Sequence, residues 1–177
     1  ILFDNYLENN NTDNVKVINR LILGGYSSDG FKDFWDIDDM KSIYRKTFEV
    51  FPNTFHKYHP GKFIRDDISD KFLQLDPQKP VEYSDYRIKV AIGGFSNALI
   101  TLSAQGTSCV SYLNLVKCKK EFDKEGVIKG VSLKSKNRVH FPETLDEYFK
   151  LSSIKLSLFC SIKVFIILIF SFSNSAT

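Results

Sequence analysis

Cysteine is scarce in this chain of 177 residues, with only three present, too few for a disulfide framework. Cys109 and Cys118 stand nine apart, a spacing that two facing strands of a hairpin could bridge, and they are equally readable as free thiols. Cys160 sits in an apolar run and reads as a small buried hydrophobe. An excess of charge is missing too: 24 basic and 21 acidic residues leave a net +3. That balance does not predict nucleic-acid binding, which wants basic groups concentrated on one face, and the Lys117–Lys120 cluster reads as a solvated strand end. Glycine and proline number nine and five, and none of the glycines falls in a P-loop, a G-x-G-x-x-G or a G-x-S-x-G pattern. Their absence removes the common phosphate cradles and the nucleophile elbow, and it counts against the usual methyltransferase fold. Gly24-Gly25 and Gly93-Gly94 read as bare pairs at strand ends.

Metal chemistry finds little support. His56 and His59 are three apart on an extended segment, which turns their rings to opposite faces, and a metal needs three or four converging ligands. Asp29, Asp33, Asp36, Asp38 and Asp39 lack the mid-loop glycine and terminal Glu of a calcium loop. Negative charge at a helix N-terminus explains them. The sequence therefore predicts no catalytic set, no metal and no cofactor.

What the chain has is aromatics, 14% of its residues, with sixteen Phe and eight Tyr. Rings and β-branched residues favour strands. Strands are predicted at Val15–Leu23, Lys57–Ile64, Phe72–Leu75 and Tyr86–Ile92, with extended character at Ala98–Leu102, Val110–Val116 and Val127–Leu133. Tyr86–Ile92 alternates most clearly, with Arg87, Lys89 and Ala91 opposite Ile88, Val90 and Ile92. A helix is predicted through Met40, Ile43, Tyr44, Thr47, Phe48 and Phe51, capped by Asp38 or Asp39 and stopped by Pro52. A second starts at Pro142-Glu143. Short strands at about ten-residue intervals, without long helices between them, predict an all-β or β-rich α+β domain. The expected architecture is an antiparallel β-sandwich with one or two short helices.

The expected organisation is an N-terminal segment over 1–56, a β-domain over 57–141, and a C-terminal helix with a hydrophobic tail over 142–177. Residues 4–14 read as a polar loop, with Asn10-Asn11-Thr12 a glycosylation sequon if the protein is secreted. The start at Ile1 suggests a fragment or processed product. Leu156–Phe172 is almost wholly apolar and broken by Lys163, just long enough for a marginal membrane anchor. A buried strand and translated non-coding sequence are the other readings of it. A secreted or membrane-associated location is favoured.

The stretch Phe63–Asn97 resembles the farnesoic acid O-methyltransferase-like domain of invertebrates. Lys57-Tyr58-His59-Pro60 is similar to the family's aromatic lead-in, and Ser69-Asp70 and Leu75-Asp76-Pro77 follow in order. Tyr86–Asn97 stands where the family has its Gly-Gly-Trp strand, with Phe95 in place of Trp and Arg87 where Glu is common. Leu21–Tyr26 and Phe31–Trp35 look like pieces of a second copy. The resemblance covers roughly residues 57–102 and implies a β-sandwich. Its name implies methyl transfer from S-adenosylmethionine to a small isoprenoid acid in hormone synthesis. With no cofactor turn apparent, the expectation is a non-catalytic recognition module for a small molecule or protein, with Tyr83, Tyr86, Phe95 and Asn97 as binding-surface candidates. Methyl transfer and a membrane-tethered surface domain are its rivals.

Overall fold

The computed structural model describes residues 15–24, 34–58, 67–81, 85–119 and 122–153. Tyr83, His59, Asp29, Asp33, Cys160, the sequon and the 156–172 tail lie outside the described residues. Among the described residues, six strands form one all-parallel sheet: β1 (Lys16–Leu23), β2 (Phe55–Lys57), β3 (Leu73–Gln74), β4 (Tyr86–Gly93), β5 (Ser108–Ser111) and β6 (Val139–His140). Their order is β3-β2-β1-β4-β5-β6, the doubly wound arrangement of Rossmann-like α/β domains. Four helices accompany them: α1 (Ile37–Val50), α2 (Asn97–Ala104), α3 (Lys124–Lys134) and α4 (Leu145–Ser152).

This overturns the expected antiparallel β-sandwich. Every strand pair is parallel, including β1 with β4 over Lys16–Tyr86 to Leu23–Gly93. Parallel strands need crossovers, and helices of eight to fourteen residues lie in the β1–β2, β4–β5 and β5–β6 connections. Two segments expected to be extended are helices. Ala98–Leu102 lies in α2, started by Ser96, whose hydroxyl accepts from Leu99 N at 3.2 Å. Val127–Leu133 lies in α3, started by Asp123, whose carboxylate accepts from Gly126 N at 2.8 Å. In both, β-branched and apolar content suggested a strand, and the local caps and tertiary packing made a helix. The expected strand Val110–Val116 is β5 for its first two residues and then turns through a 3-10 segment, Leu113–Leu115. Of the expected strand Lys57–Ile64, only Lys57 belongs to β2, and residues 59–66 are not described.

Helix α1 matches its expected spacing and begins two or three residues earlier than expected. Its cap is Asp36, which accepts from Asp38 N at 2.9 Å and Asp39 N at 3.2 Å. That capping accounts for Asp36, and Asp39 accepts from Lys117 N at 3.0 Å. Helix α4 starts after Thr144, which accepts from Glu147 N.

The sheet is covered on both sides. Ile22, Val90, Ile92 and Val110 pack with Met40, Ile43 and Tyr44 of α1 and Tyr148 of α4. Leu21, Leu23, Ala91 and Cys109 pack with Leu99 and Leu102 of α2 and Val131 of α3. Leu75 and Val81, from the β3–β4 connection, extend the second cluster. Strands that bury both faces read as continuous apolar runs, and Leu21-Ile22-Leu23 and Val90-Ala91-Ile92 are such runs.

Cys109 and Cys118 are free thiols. No hairpin joins them: Cys109 is in β5 against α2 and α3, whereas Cys118 packs with the cluster on the other face. Among the described residues no helix is long and apolar enough to cross a membrane.

Candidate functional site at the carboxyl edge

In doubly wound sheets, ligands bind outside the carboxyl ends of the strands, where the strand order reverses. Here that reversal lies between β1 and β4. Leu23 is in register with Gly93, so Gly24 emerges beside Gly94. The two strand ends carry the same pattern, Leu23-Gly24-Gly25-Tyr26-Ser27 and Ile92-Gly93-Gly94-Phe95-Ser96.

The glycines serve different ends. Gly24 has φ +83°, a conformation that side chains disfavour, with nothing within 4 Å of a Cβ placed there. Gly93 has an ordinary backbone, but a Cβ would stand 3.2 Å from Leu99 Cδ1, so its absence lets α2 close onto β4. A Cβ on Gly94 would touch the Tyr112 ring at 3.4 Å.

A buried hydrogen-bond chain ties these ends together. The Gly24 carbonyl accepts from Tyr44 Oη at 2.7 Å and from His56 Nε2 at 2.6 Å, so that ring nitrogen carries a proton. Tyr44 in turn bonds Tyr112, whose hydroxyl also meets the Gly94 backbone. Ser111 Oγ donates to the Gly94 carbonyl, and Tyr112 N donates to Gly93 O at 3.0 Å. On the far side of His56, Gln74 Oε1 lies 3.3 Å from Nδ1. Gln74 is fixed by donating Nε2 to Ser69 O at 2.6 Å and Phe72 O at 3.0 Å. One network thus runs across the ends of β3, β2, β1, β4 and β5.

Its chemistry is positional. Burial pushes the Tyr112 phenol up to about 12, against bonds to Tyr44 and Gly94 that pull it down, so it stays protonated at neutral pH. His56 is fully buried. These groups orient the strand ends and do not open onto a substrate. Among the described residues no three His, Cys, Asp or Glu gather to hold a metal.

A dinucleotide fits poorly. Its pyrophosphate would need an open helix N-terminus after β1, and α1 is closed by Asp36 with Asp38 and Asp39 behind it. The ribose would need a carboxylate at the end of β2, where the chain reads Phe55-His56-Lys57-Tyr58.

The binding candidates are divided by the fold. Phe95 and Asn97 stand at the carboxyl edge, Phe95 half-buried and Asn97 exposed as the first residue of α2. Tyr86 stands at the opposite end of β4, about 23 Å away at about 3.3 Å per residue. There it lines a cleft of about 200 Å³ with Lys16, Lys57, Asp76, Lys79 and Asp85. Tyr83 is not described.

Sequence reasoning missed Tyr44, His56 and Tyr112 as partners of the glycine ends. The repeated Gly-Gly-aromatic-Ser pattern is the signal that pointed to them, once the two strands are known to be neighbours. Compared with known proteins, the chain matches no family model, no curated protein and no solved structure.

Proposed function

We propose that the chain is a recognition module that takes a small ligand at the carboxyl edge of its sheet, between the ends of β1 and β4, and does no chemistry on it. The observation that carries this is that Gly24 and Gly94 emerge side by side at the reversal of strand order and are joined by one buried hydrogen-bond chain. Gly24 leaves the space around it clear of side-chain bulk, and the region outside the strand ends at a reversal of strand order is where this architecture binds. The recognition reading thus stands on this edge, whereas the sandwich that the family resemblance implied is corrected by the parallel sheet.

A second reading, methyl transfer from S-adenosylmethionine to a small isoprenoid acid, gains from the strand order, since nucleoside cofactors use it. It loses from the closed α1 N-terminus and from the sequence Phe55-His56-Lys57-Tyr58 at the end of β2, which holds no carboxylate itself. A membrane tether through residues 156–172 is a separate proposal: a chain lacking them that still pelleted with membranes would dispose of it.

The test is a fragment screen followed by amide NMR on the labelled protein, with S-adenosylmethionine titrated calorimetrically in parallel. The expected result is perturbation at Gly93–Asn97 by some fragments and no heat from the cofactor. Perturbations confined to the Lys16–Tyr86 cleft would contradict the carboxyl-edge site. Micromolar cofactor binding would favour the transferase.

A further inference from the structure

The chain's one tryptophan, Trp35, is 2% exposed, and its indole Nε1 meets no hydrogen-bond acceptor among the described residues. Buried donors are nearly always paired, and a buried Trp N–H ordinarily finds an acceptor, because leaving one unmade forfeits its hydration for nothing. What surrounds the indole is other rings. Phe122 lies 4.5 Å away between centroids and Phe95 6.1 Å, while Phe34 lies 5.2 Å from Phe122. None of these offers an oxygen.

This cluster stands at the carboxyl edge. Phe95 belongs to the β4–α2 turn. The Phe34–Asp36 segment is held to the chain after β5 by Lys119 N donating to Phe34 O at 2.9 Å and Asp36 N donating to Lys117 O at 2.9 Å. Phe34 is 43% exposed and Phe95 half-buried, so the rings reach solvent beside the glycine ends. Asp36, Asp38 and Asp39 lie at the adjoining α1 N-terminus, and Lys117 and Lys119 lie on the facing segment, so the corner carries charges of both signs.

We propose that this aromatic cluster seats the ligand, and that the ligand is a neutral apolar molecule with one acceptor oxygen, such as a ketone, ester or ether, that receives the Trp35 N–H. The inference rests on the carboxyl-edge reading and narrows it to a ligand class. Rings supply the apolar contact, the unpaired donor supplies orientation, and an uncharged indole N–H amid rings gives a carboxylate no counter-charge for the hydration it would lose. A site with an unmatched buried donor discriminates strongly against an analogue lacking the acceptor.

A single tryptophan gives a single indole N–H signal, which makes the test direct. The full chain is titrated with acetophenone, ethylbenzene and benzoate, molecules of similar size that differ in the acceptor and its charge. Acetophenone is expected to move the indole signal saturably and to bind at least fivefold tighter than the other two. Trp35→Phe is expected to erase the preference for acetophenone over ethylbenzene. If that variant fails to fold, the comparison on the unaltered protein decides alone. An indole signal unmoved by acetophenone, or equal binding of acetophenone and ethylbenzene, overturns the proposal. Movement of Gly93–Asn97 in the wider fragment screen would then leave the carboxyl-edge site standing, so the two failures are separable.

Discussion

At the residue scale, identical amino acids do different work according to what surrounds them. Gly24→Ala places a side chain in the left-handed region, at a cost of roughly 1–2 kcal/mol. Gly24→Asn should recover part of that loss, because Asn tolerates this conformation. Gly93→Val should cost about 1–3 kcal/mol by driving Leu99 away from β4, and Gly93→Asn should bring no rescue. Urea unfolding of the four variants separates backbone strain from overpacking. The cysteines divide likewise. Burial pushes the Cys109 thiol up to about 12, and Cys118 is only half-buried. Native iodoacetamide at pH 8 is expected to modify Cys118 and spare Cys109, as read by peptide mass spectrometry. Equal modification would mean that β5 opens readily or that its packing is misplaced.

At the element scale, α4 is held at its middle and at its last residue. Its Tyr148 bonds Thr47 Oγ1 of α1 at 2.8 Å in the buried layer. Its last residue, Ser152, accepts Arg20 Nε of β1 at 2.8 Å, with that guanidinium 3.8 Å above the Phe51 ring. Arg20→Ala should lower stability by roughly 1–3 kcal/mol, from one charged hydrogen bond and one cation–ring contact. Arg20→Lys should restore only part, since an ammonium cannot stack flat while donating. Denaturant midpoints for both variants check this, and a full restoration by Lys would reduce the interaction to simple charge. Legibility also divides by element. β1, β4, α1 and α4 were readable because each carries its own period and stop signal. α2 and α3 were not, although Ser96 and Asp123 stood in cap positions. Both helices are short and rich in apolar or β-branched residues, and their helical state depends on packing against the sheet.

At the scale of the whole molecule, the strands were visible and their pairing was not. Alternation in Tyr86–Ile92 suggested one wet face, yet Ala91 is fully buried and belongs to the second core. The continuous apolar ends of β1 and β4 were the parallel-sheet signal, overshadowed by the polar residues at their beginnings. The site was partly legible: Phe95 and Asn97 do stand by the paired glycines, while Tyr86 was linked to them by sequence and separated by strand length. The core also sets a pH response. Burial raises Tyr112 to about 12 and Tyr148 upward as well, each relative to an unfolded tyrosine near 10. The stability this represents is fully present below about pH 10 and is lost as pH rises through the folded values, because only the unfolded chain releases those protons. Tyr112 alone accounts for about 3 kcal/mol across that interval. Urea midpoints should therefore hold between pH 7 and 9 and fall steeply above 10, and a flat profile to pH 12 would mean that these phenols are wet.

Everything proposed for the carboxyl edge requires β1 and β4 to run side by side in the same direction. Inter-strand NOEs in the labelled protein measure this. The predicted pattern joins Leu21 with Ala91 and Leu23 with Gly93 in a parallel ladder, with Gly24 and Gly94 at the same end. Antiparallel contacts pairing Tyr86–Gly93 with its sequence neighbours in a hairpin would separate the glycine ends and contradict the account.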